Sequence, residues 1–125
     1  MQKINNNQIL EILEKHNING FDKPGTDKAS DHSYDKFYSK YLSSYCDKEG
    51  SLLEIGVAYG GSSLMWQEFL PKFKLVMVDV GEFMHPSIKE RMDTNRFNYL
   101  TGKDAFNIDT LEEIKSLNPA LFNIL

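Results

Sequence analysis

Two acidic residues and two glycines carry the strongest chemical signal in the sequence. Gly56 and Gly60 follow an apolar run at residues 51–57, where a buried strand of a parallel sheet would turn into a helix. Glycines at such a turn let the backbone approach a ligand closely, and free N–H groups at the start of the next helix can bind a carboxylate. Glu54 lies inside the first apolar run and Asp79 lies near the end of the next one. The pattern indicates a ligand-binding loop between two carboxylates.

The two carboxylates indicate which ligand the loop would accept. Glu54 would repel a pyrophosphate but can face an ammonium group. Asp79 can accept hydrogen bonds from both hydroxyls of a ribose. The pair therefore favours S-adenosylmethionine, which carries an ammonium and a sulfonium, over NAD. Two structural interpretations stay open, since the glycines can serve helix packing and Glu54 can pair with a cation such as Lys28.

The surrounding periodicity predicts an α/β fold that can position these residues. An amphipathic helix is expected around residues 9–13, and an aromatic-rich helix over residues 34–45. Strands are expected at residues 51–57, 74–80 and 97–100, helices at residues 62–70, 86–92 and 110–117, and the opening of a fourth strand at residues 120–125. Asp109 is the predicted cap of the last helix. The strand–helix–strand unit predicts a parallel sheet with a right-handed crossover.

The motifs resemble those of a known enzyme family. Glu54-x-Gly56-x-x-x-Gly60 and the later Val78-Asp79 resemble motif one and the acidic second-strand end of class I S-adenosylmethionine-dependent methyltransferases. The resemblance covers about residues 25–125. Within it, residues 25–34 and 61–66 are similar to macrocin-type sugar O-methyltransferases. The resemblance implies a Rossmann-like parallel sheet with flanking helices, N-terminal part only, preceded by two helices.

The resemblance also implies a set of cofactor-binding residues. In that family the upstream segment closes the cofactor site, and the end of the third strand flanks the adenine, where Asp104 would accept from its amino group. The implied cofactor-binding residues are Thr26, Lys28, Tyr34, Glu54, Gly56, Tyr59, Gly60, Ser62, Ser63, Asp79, Asp104 and Ala105. Catalytic residues stay unassigned, because the family's metal and base motif would follow the fourth strand. The resemblance implies Mg²⁺ in a longer form.

The resemblance and the predicted elements also indicate how the chain is divided into segments and what its partners are. We expect N-terminal helices and a lid segment over residues 1–50, and a Rossmann-like half-domain over residues 51–125. A sheet cut at its fourth strand exposes an edge, so we expect the chain to form homo-oligomers or to aggregate. The expected partner is a small-molecule methyl acceptor, such as a sugar or an antibiotic-type metabolite.

Composition narrows the classes of protein to which the chain can belong. The chain is 41% hydrophobic and 26% charged, which is typical of one globular domain. Its 18 acidic and 14 basic residues are interspersed, which argues against nucleic acid as a partner. Cys46 is the single cysteine, and the sequence has no apolar run of signal or membrane-span length, so we expect a cytoplasmic protein without membrane contact. A non-catalytic binding or interaction module is the alternative, and an NAD-linked protein is a weaker one.

Overall fold

The computed structural model describes residues 8–20, 25–26, 34–120 and 122–125. Helices and strands alternate after two leading helices, as the periodicity predicts. The elements in chain order are α1 (Gln8–Lys15), α2 (Asp35–Leu42), β1 (Gly50–Ile55), α3 (Gly61–Phe69), β2 (Phe73–Val78), α4 (Pro86–Lys89), β3 (Phe97–Leu100) and α5 (Ile108–Leu117). One turn of 3-10 helix, Ser43–Tyr45, extends α2.

The three strands form a parallel sheet in the order β1-β2-β3. Glu54 pairs with Met77, and Met77 pairs with Tyr99, so the carboxyl ends of the strands lie at one edge. β1 ends two residues earlier than predicted, because Gly56 has a φ of 86° and leaves the extended conformation. β2 ends at Val78, two residues earlier than predicted, and the next residue, Asp79, accepts a hydrogen bond from the loop after β1.

The sheet buries side chains on both faces, as expected for strands read as continuous apolar runs. Alternate residues of β1 and β2 point in opposite directions, which separates the core into two clusters. The larger cluster contains Leu52, Leu75 and Met77 with apolar residues of α1, α3 and α4, and the smaller contains Leu53, Val76 and Val78 with Ile114 of α5. The Rossmann-like α/β fold predicted from the sequence is therefore confirmed.

The two leading helices pack together and against α3. Ile9 and Leu13 of α1 are fully buried, and the Ser39 hydroxyl of α2 accepts a hydrogen bond from the Ile9 N–H at 3.2 Å. This contact satisfies a backbone donor at the start of α1 that has no helical partner. The aromatic residues of α2 differ in burial. Tyr38 packs against the core, whereas Phe37 and Tyr41 are exposed.

Two helix ends differ from the sequence-based expectation. The Asn107 side chain caps α5 by accepting from the Asp109 N–H at 2.8 Å, so the assignment of Asp109 as the cap is wrong. Asn and Asp both cap well, and periodicity alone does not separate two candidate caps that are two residues apart. α4 ends at Lys89, because the N–H of Met92 donates to the Lys89 carbonyl three residues back and the chain tightens into turns.

The predicted fourth strand begins on the free side of β1. Ile124 forms a parallel bridge with Leu52, and the Leu53 N–H donates to the Ile124 carbonyl at 3.0 Å. The Asn123 side chain adds a hydrogen bond from the Ser51 N–H at 3.0 Å. The chain that leaves β1 toward β2 therefore returns, after β3 and α5, to the opposite side of β1.

Candidate functional site

The candidate site lies at the carboxyl edge of the sheet, at the end of β1. β2 flanks β1 on one side and residues 122–125 flank it on the other, so the direction of the strand order reverses at β1. In open α/β sheets the chains diverge at such a point and leave a crevice, where ligands bind. The predicted loop of Gly56 and Gly60 leaves β1 at this crevice.

The loop after β1 needs its glycines for two different reasons. Gly56 and Gly60 have φ values of 86° and 94°, a region that other residues rarely adopt. A side-chain carbon at Gly60 would lie 2.7 Å from Met84, so that glycine also permits close packing. A carbon at Gly56 would meet no atom within 4 Å among the described residues, so this glycine faces open space. Gly56 therefore presents bare backbone to the crevice.

Asp79 holds this loop in place. Its Oδ2 atom accepts hydrogen bonds from the N–H groups of Val57 at 2.9 Å and Ala58 at 3.0 Å, and its Oδ1 atom accepts from the Val80 N–H at 2.7 Å. Ala58 has a φ of 52°, so the carboxylate stabilises a strained residue. A carboxylate has about four acceptor positions, and three are used here. The interpretation of Asp79 as a ribose ligand stays a prediction, with one acceptor position left for it.

Glu54 is held by side chains of α3. Its Oε1 atom accepts from the Ser62 hydroxyl at 2.7 Å, and its Oε2 atom accepts from the Trp66 indole N–H at 3.0 Å. Trp66 is buried, as expected for a core residue, but its hydrogen bond to Glu54 was not predicted. The spacing of 62 and 66 places both donors on one face of α3 and is the signal that could have revealed it.

A cavity of about 250 Å³ adjoins Glu54. Tyr38, Trp66, Ile55 and Ile124 contribute to its walls, and the Tyr38 ring lies 4.9 Å from the Trp66 ring in an edge-on arrangement. Burial raises the pKa of the Tyr38 hydroxyl, and the negative charge of Glu54 raises it further. Tyr38 therefore stays neutral over the physiological range. The sequence did not indicate that α2 contributes to this cavity.

The amino terminus of α3 adjoins the glycine loop. Ser62 and Ser63 lie in its first turn and are both buried, and the Ser63 hydroxyl has no hydrogen-bond partner among the described residues. The first turn of a helix also carries backbone N–H groups without helical acceptors. This turn can therefore donate hydrogen bonds to an anion such as a carboxylate.

The predicted lid segment reaches the same turn. Thr26 is buried, its N–H donates to the Ile18 carbonyl at 2.8 Å, and its carbonyl accepts from the Gly20 N–H at 2.7 Å. A side-chain carbon at Gly61 would clash with the backbone of Gly25, so Gly25 lies directly on the start of α3. Lys28, also predicted for the site, lies outside the described residues.

Two tyrosines that were predicted to bind the cofactor, Tyr34 and Tyr59, lie at different places around the crevice. Tyr34 precedes α2, is 46% exposed and has its ring 6.0 Å from that of Tyr38, next to the Glu54 cavity. Tyr59 lies in the glycine loop, and its carbonyl accepts from the His85 N–H at 2.9 Å. This bond joins the loops that follow β1 and β2 at the mouth of the crevice.

The end of β3 forms a second cavity, of about 270 Å³, beside Asp79. Ile55, Val80 and Phe106 supply apolar walls, and Asp104 and Ala105 belong to the same lining. The Asp104 Oδ1 atom accepts from the Phe106 N–H at 2.9 Å, which shapes the turn. Phe106 is 96% exposed at the rim of this cavity, and the sequence analysis assigned it no separate role.

Metal and membrane features are absent from the described part of the chain. Across residues 8–20, 25–26, 34–120 and 122–125, no group of three or more His, Cys, Asp or Glu side chains is arranged to hold a metal ion. The expected Mg²⁺ therefore has no ligand set in those ranges. Among the same residues, no helix has the length and apolar character needed to cross a bilayer.

Comparisons with known proteins give structural neighbours. No family model matches the chain, and no curated protein matches its sequence. One neighbour is the MycE methyltransferase from the mycinamycin biosynthetic pathway, solved with Mg and SAH, at a TM-score of 0.59 and 18% identity over 91% of this chain and 25% of that one. A second MycE structure, with Mg, SAH and mycinamycin VI, has a TM-score of 0.53 and 23% identity over 72% of this chain and 23% of that one.

These likenesses concern the fold. At such identities they show that the chain adopts the Rossmann-like architecture of a solved methyltransferase, in agreement with its parallel sheet and flanking helices. The chain spans about a quarter of the length of the solved proteins that it matches.

Proposed function

We propose that this chain binds S-adenosylmethionine and forms the cofactor-binding part of a methyltransferase that acts on an oxygen atom of a small molecule. The observation that carries the proposal is the crevice at the end of β1. There the bare backbone of Gly56 lies between two carboxylates, Glu54 and Asp79, with one cavity on each side. The likeness to a methyltransferase solved with SAH supports the same ligand class.

The methionine end of the cofactor fits the α3 side of the crevice. Its carboxylate would accept hydrogen bonds from backbone N–H groups in the first turn of α3 and from the Ser63 hydroxyl. Ser62, whose hydroxyl donates to Glu54, would line the same turn. Its ammonium would face the carboxylate of Glu54, which Ser62 and Trp66 hold in place. In this proposal Thr26, Lys28 and Tyr34 cover that end, and Tyr59 and Gly60 line the loop.

The nucleoside end fits the β3 side. Asp79 would accept from a ribose hydroxyl with its remaining acceptor position, and Asp104 would accept from the adenine amino group. The backbone of Ala105 would lie along the ring edge, and the apolar walls of the cavity suit a flat heterocycle. Both cavities are needed, since each accommodates one end of an elongated ligand.

The sulfonium of the bound cofactor supplies an activated methyl group. The residues of this chain would hold the methyl group at a fixed place and exclude competing orientations, which lowers the barrier by proximity. The acceptor in this proposal is a small molecule such as a sugar or an antibiotic-type metabolite, and the solved MycE complex with mycinamycin VI is consistent with that class. We assign no general base among the described residues.

Titration calorimetry with S-adenosylhomocysteine tests the binding step. We expect saturable one-to-one binding by the wild-type chain and a dissociation constant at least tenfold higher for Glu54→Ala, because the ammonium loses its counter-charge. Glu11→Ala on the exposed face of α1 is the matched control and should bind as the wild type does. Absence of binding by a folded wild-type chain would overturn the proposal.

Methyl transfer separates the proposed enzyme from a binding-only module. Incubation with S-adenosylmethionine labelled in its methyl group and a panel of glycosides would give labelled product for an enzyme. Binding of S-adenosylhomocysteine without any transfer would favour the non-catalytic module. An increase in NADH fluorescence that S-adenosylhomocysteine fails to compete away would instead favour the NAD-linked alternative.

A further inference from the structure

Two helices carry exposed apolar faces that the proposed cofactor chemistry does not use. On α2, Phe37 and Tyr41 are 56% and 57% exposed, and their rings lie 4.8 Å apart, so they form one continuous aromatic surface. On α5, Ile108 and Leu111 are 70% and 50% exposed. Each pair is spaced by three or four residues, which places its two side chains on one side of their helix.

The charges beside these two faces have opposite signs. Lys36 and Lys40 border the aromatic pair of α2, and the Lys40 ammonium lies 5.2 Å from the centre of the Tyr41 ring. We call this surface the α2 face (Lys36, Phe37, Lys40, Tyr41). The exposed carboxylates of Asp109 and Glu112 border the apolar pair of α5, and we call this surface the α5 face (Ile108, Asp109, Leu111, Glu112).

The neighbouring charges preserve this difference in sign. Asp35 is buried at the start of α2, so the exposed charge of that helix is positive. Glu113 of α5 forms an ion pair with Lys103 at 3.3 Å, which neutralises both charges. Lys115 follows one turn after the α5 face and offsets one of the two carboxylates, while the exposed Asp104 precedes the helix and restores the negative balance.

We propose that the α2 face of one molecule docks on the α5 face of a second copy of the same chain. Two apolar pairs would be buried together, and two lysines would meet two carboxylates at the rim, which is the usual anatomy of a protein interface. The contact joins different surfaces of two identical molecules, so it is heterologous and can repeat in a ring or a chain. Charge complementarity selects this occupant over a second α2 face, which would set lysines against lysines.

Charge-swap mixing tests the proposal. We expect sedimentation velocity to show concentration-dependent association of the wild-type chain that weakens at high salt. The variants Lys36→Glu/Lys40→Glu and Asp109→Lys/Glu112→Lys should each associate about tenfold more weakly, since each creates two faces of like charge. An equimolar mixture of the two variants should associate again, because each then offers the face that the other needs.

Two controls separate a loss of docking from a loss of folding or a change in net charge. The substitutions lie on exposed positions, so circular dichroism and urea unfolding should match the wild type. Glu11→Lys/Glu14→Lys on α1 changes the charge by the same amount away from both faces and should leave association unchanged. A chain that stays monomeric at all concentrations would overturn the proposal, and so would association that all variants retain equally or that mixing fails to restore.

Discussion

The two carboxylates at the candidate site are held in different ways. Glu54 accepts hydrogen bonds from the side chains of Ser62 and Trp66, whereas Asp79 accepts three bonds from backbone N–H groups. The Glu54 side therefore depends on residue type at particular positions of α3. The Asp79 side depends on one carboxylate and on the path of the chain. This difference predicts that substitutions at Asp79 affect folding first, and that substitutions around Glu54 affect ligand binding more.

The largest effect is expected for Asp79→Asn. The amide keeps the size of the carboxylate but removes its charge and one acceptor oxygen, so at least one buried N–H of the loop loses its partner. We expect the free energy of unfolding to fall by about 3 kcal/mol. Urea unfolding followed by circular dichroism measures this. Asp104→Asn, on an exposed turn, is the control, and a loss of equal size there would remove the special role of Asp79.

A smaller effect is expected for Trp66→Phe. The ring stays and fills the core, but the hydrogen bond to Glu54 is lost, so we expect a loss of about 1.5 kcal/mol in stability. S-adenosylhomocysteine should also bind more weakly, because Glu54 loses one of the groups that orient it. Phe69→Leu, in the same helix, serves as the control, since it perturbs the core without touching Glu54. Unchanged affinity in Trp66→Phe would show that Glu54 does not need this donor.

Alkaline pH should lower the stability of the folded chain through Tyr38, which lies beside Glu54. The folded-state pKa of Tyr38 is raised by burial and then by Glu54, so the neutral hydroxyl is favoured in the folded chain. Its contribution to stability is complete below the unfolded pKa of about 10 and is lost as the pH rises through the folded value. We expect Tyr38→Phe to lose less stability than the wild type when urea unfolding is repeated between pH 8 and pH 11. Equal loss would place the alkaline sensitivity elsewhere.

The smallest effect on folding is expected for Phe106→Ser on the Asp79 side. The side chain is almost fully exposed, so the free energy of unfolding should change by less than about 0.5 kcal/mol. Adenosine binding, followed by ligand-detected NMR, should weaken about tenfold if the ring closes the second cavity over the base. Leu111→Ser removes a similar exposed apolar side chain and should leave adenosine binding unchanged.

Much of the fold was predictable because burial leaves a periodic trace in the sequence. The strand at Phe97–Leu100 has the predicted bounds, and the two leading helices lie where the apolar spacing placed them. The ends of the strands were predicted less accurately. β1 stops at Ile55 because the chain turns at Gly56, and the apolar run alone does not show that Val57 already belongs to the loop.

The candidate site was predictable as a set of residues and less so as a set of contacts. The loop glycines, Glu54, Asp79 and the serines of α3 do meet at one edge of the sheet. The positions of Tyr38 and Phe106 were not evident, because a helical aromatic pattern is the same for a core residue, a cavity wall and an exposed surface. Whether an aromatic residue on a helix is buried depends on which other elements pack against it, and the local sequence does not show those contacts.

The sequence by itself determined the class of fold and the chemistry available at the turn after β1. Apolar periodicity, glycine at positions of positive φ and a carboxylate near the carboxyl ends of β1 and β2 follow from local physical requirements. The tertiary structure decided how those carboxylates are used: Asp79 binds the loop backbone, and Glu54 binds α3 beside a cavity that α2 helps to form. The physical reason is that hydrogen-bond partners are chosen by distance in space, and residues 22 positions apart, such as Val57 and Asp79, meet after the sheet has formed.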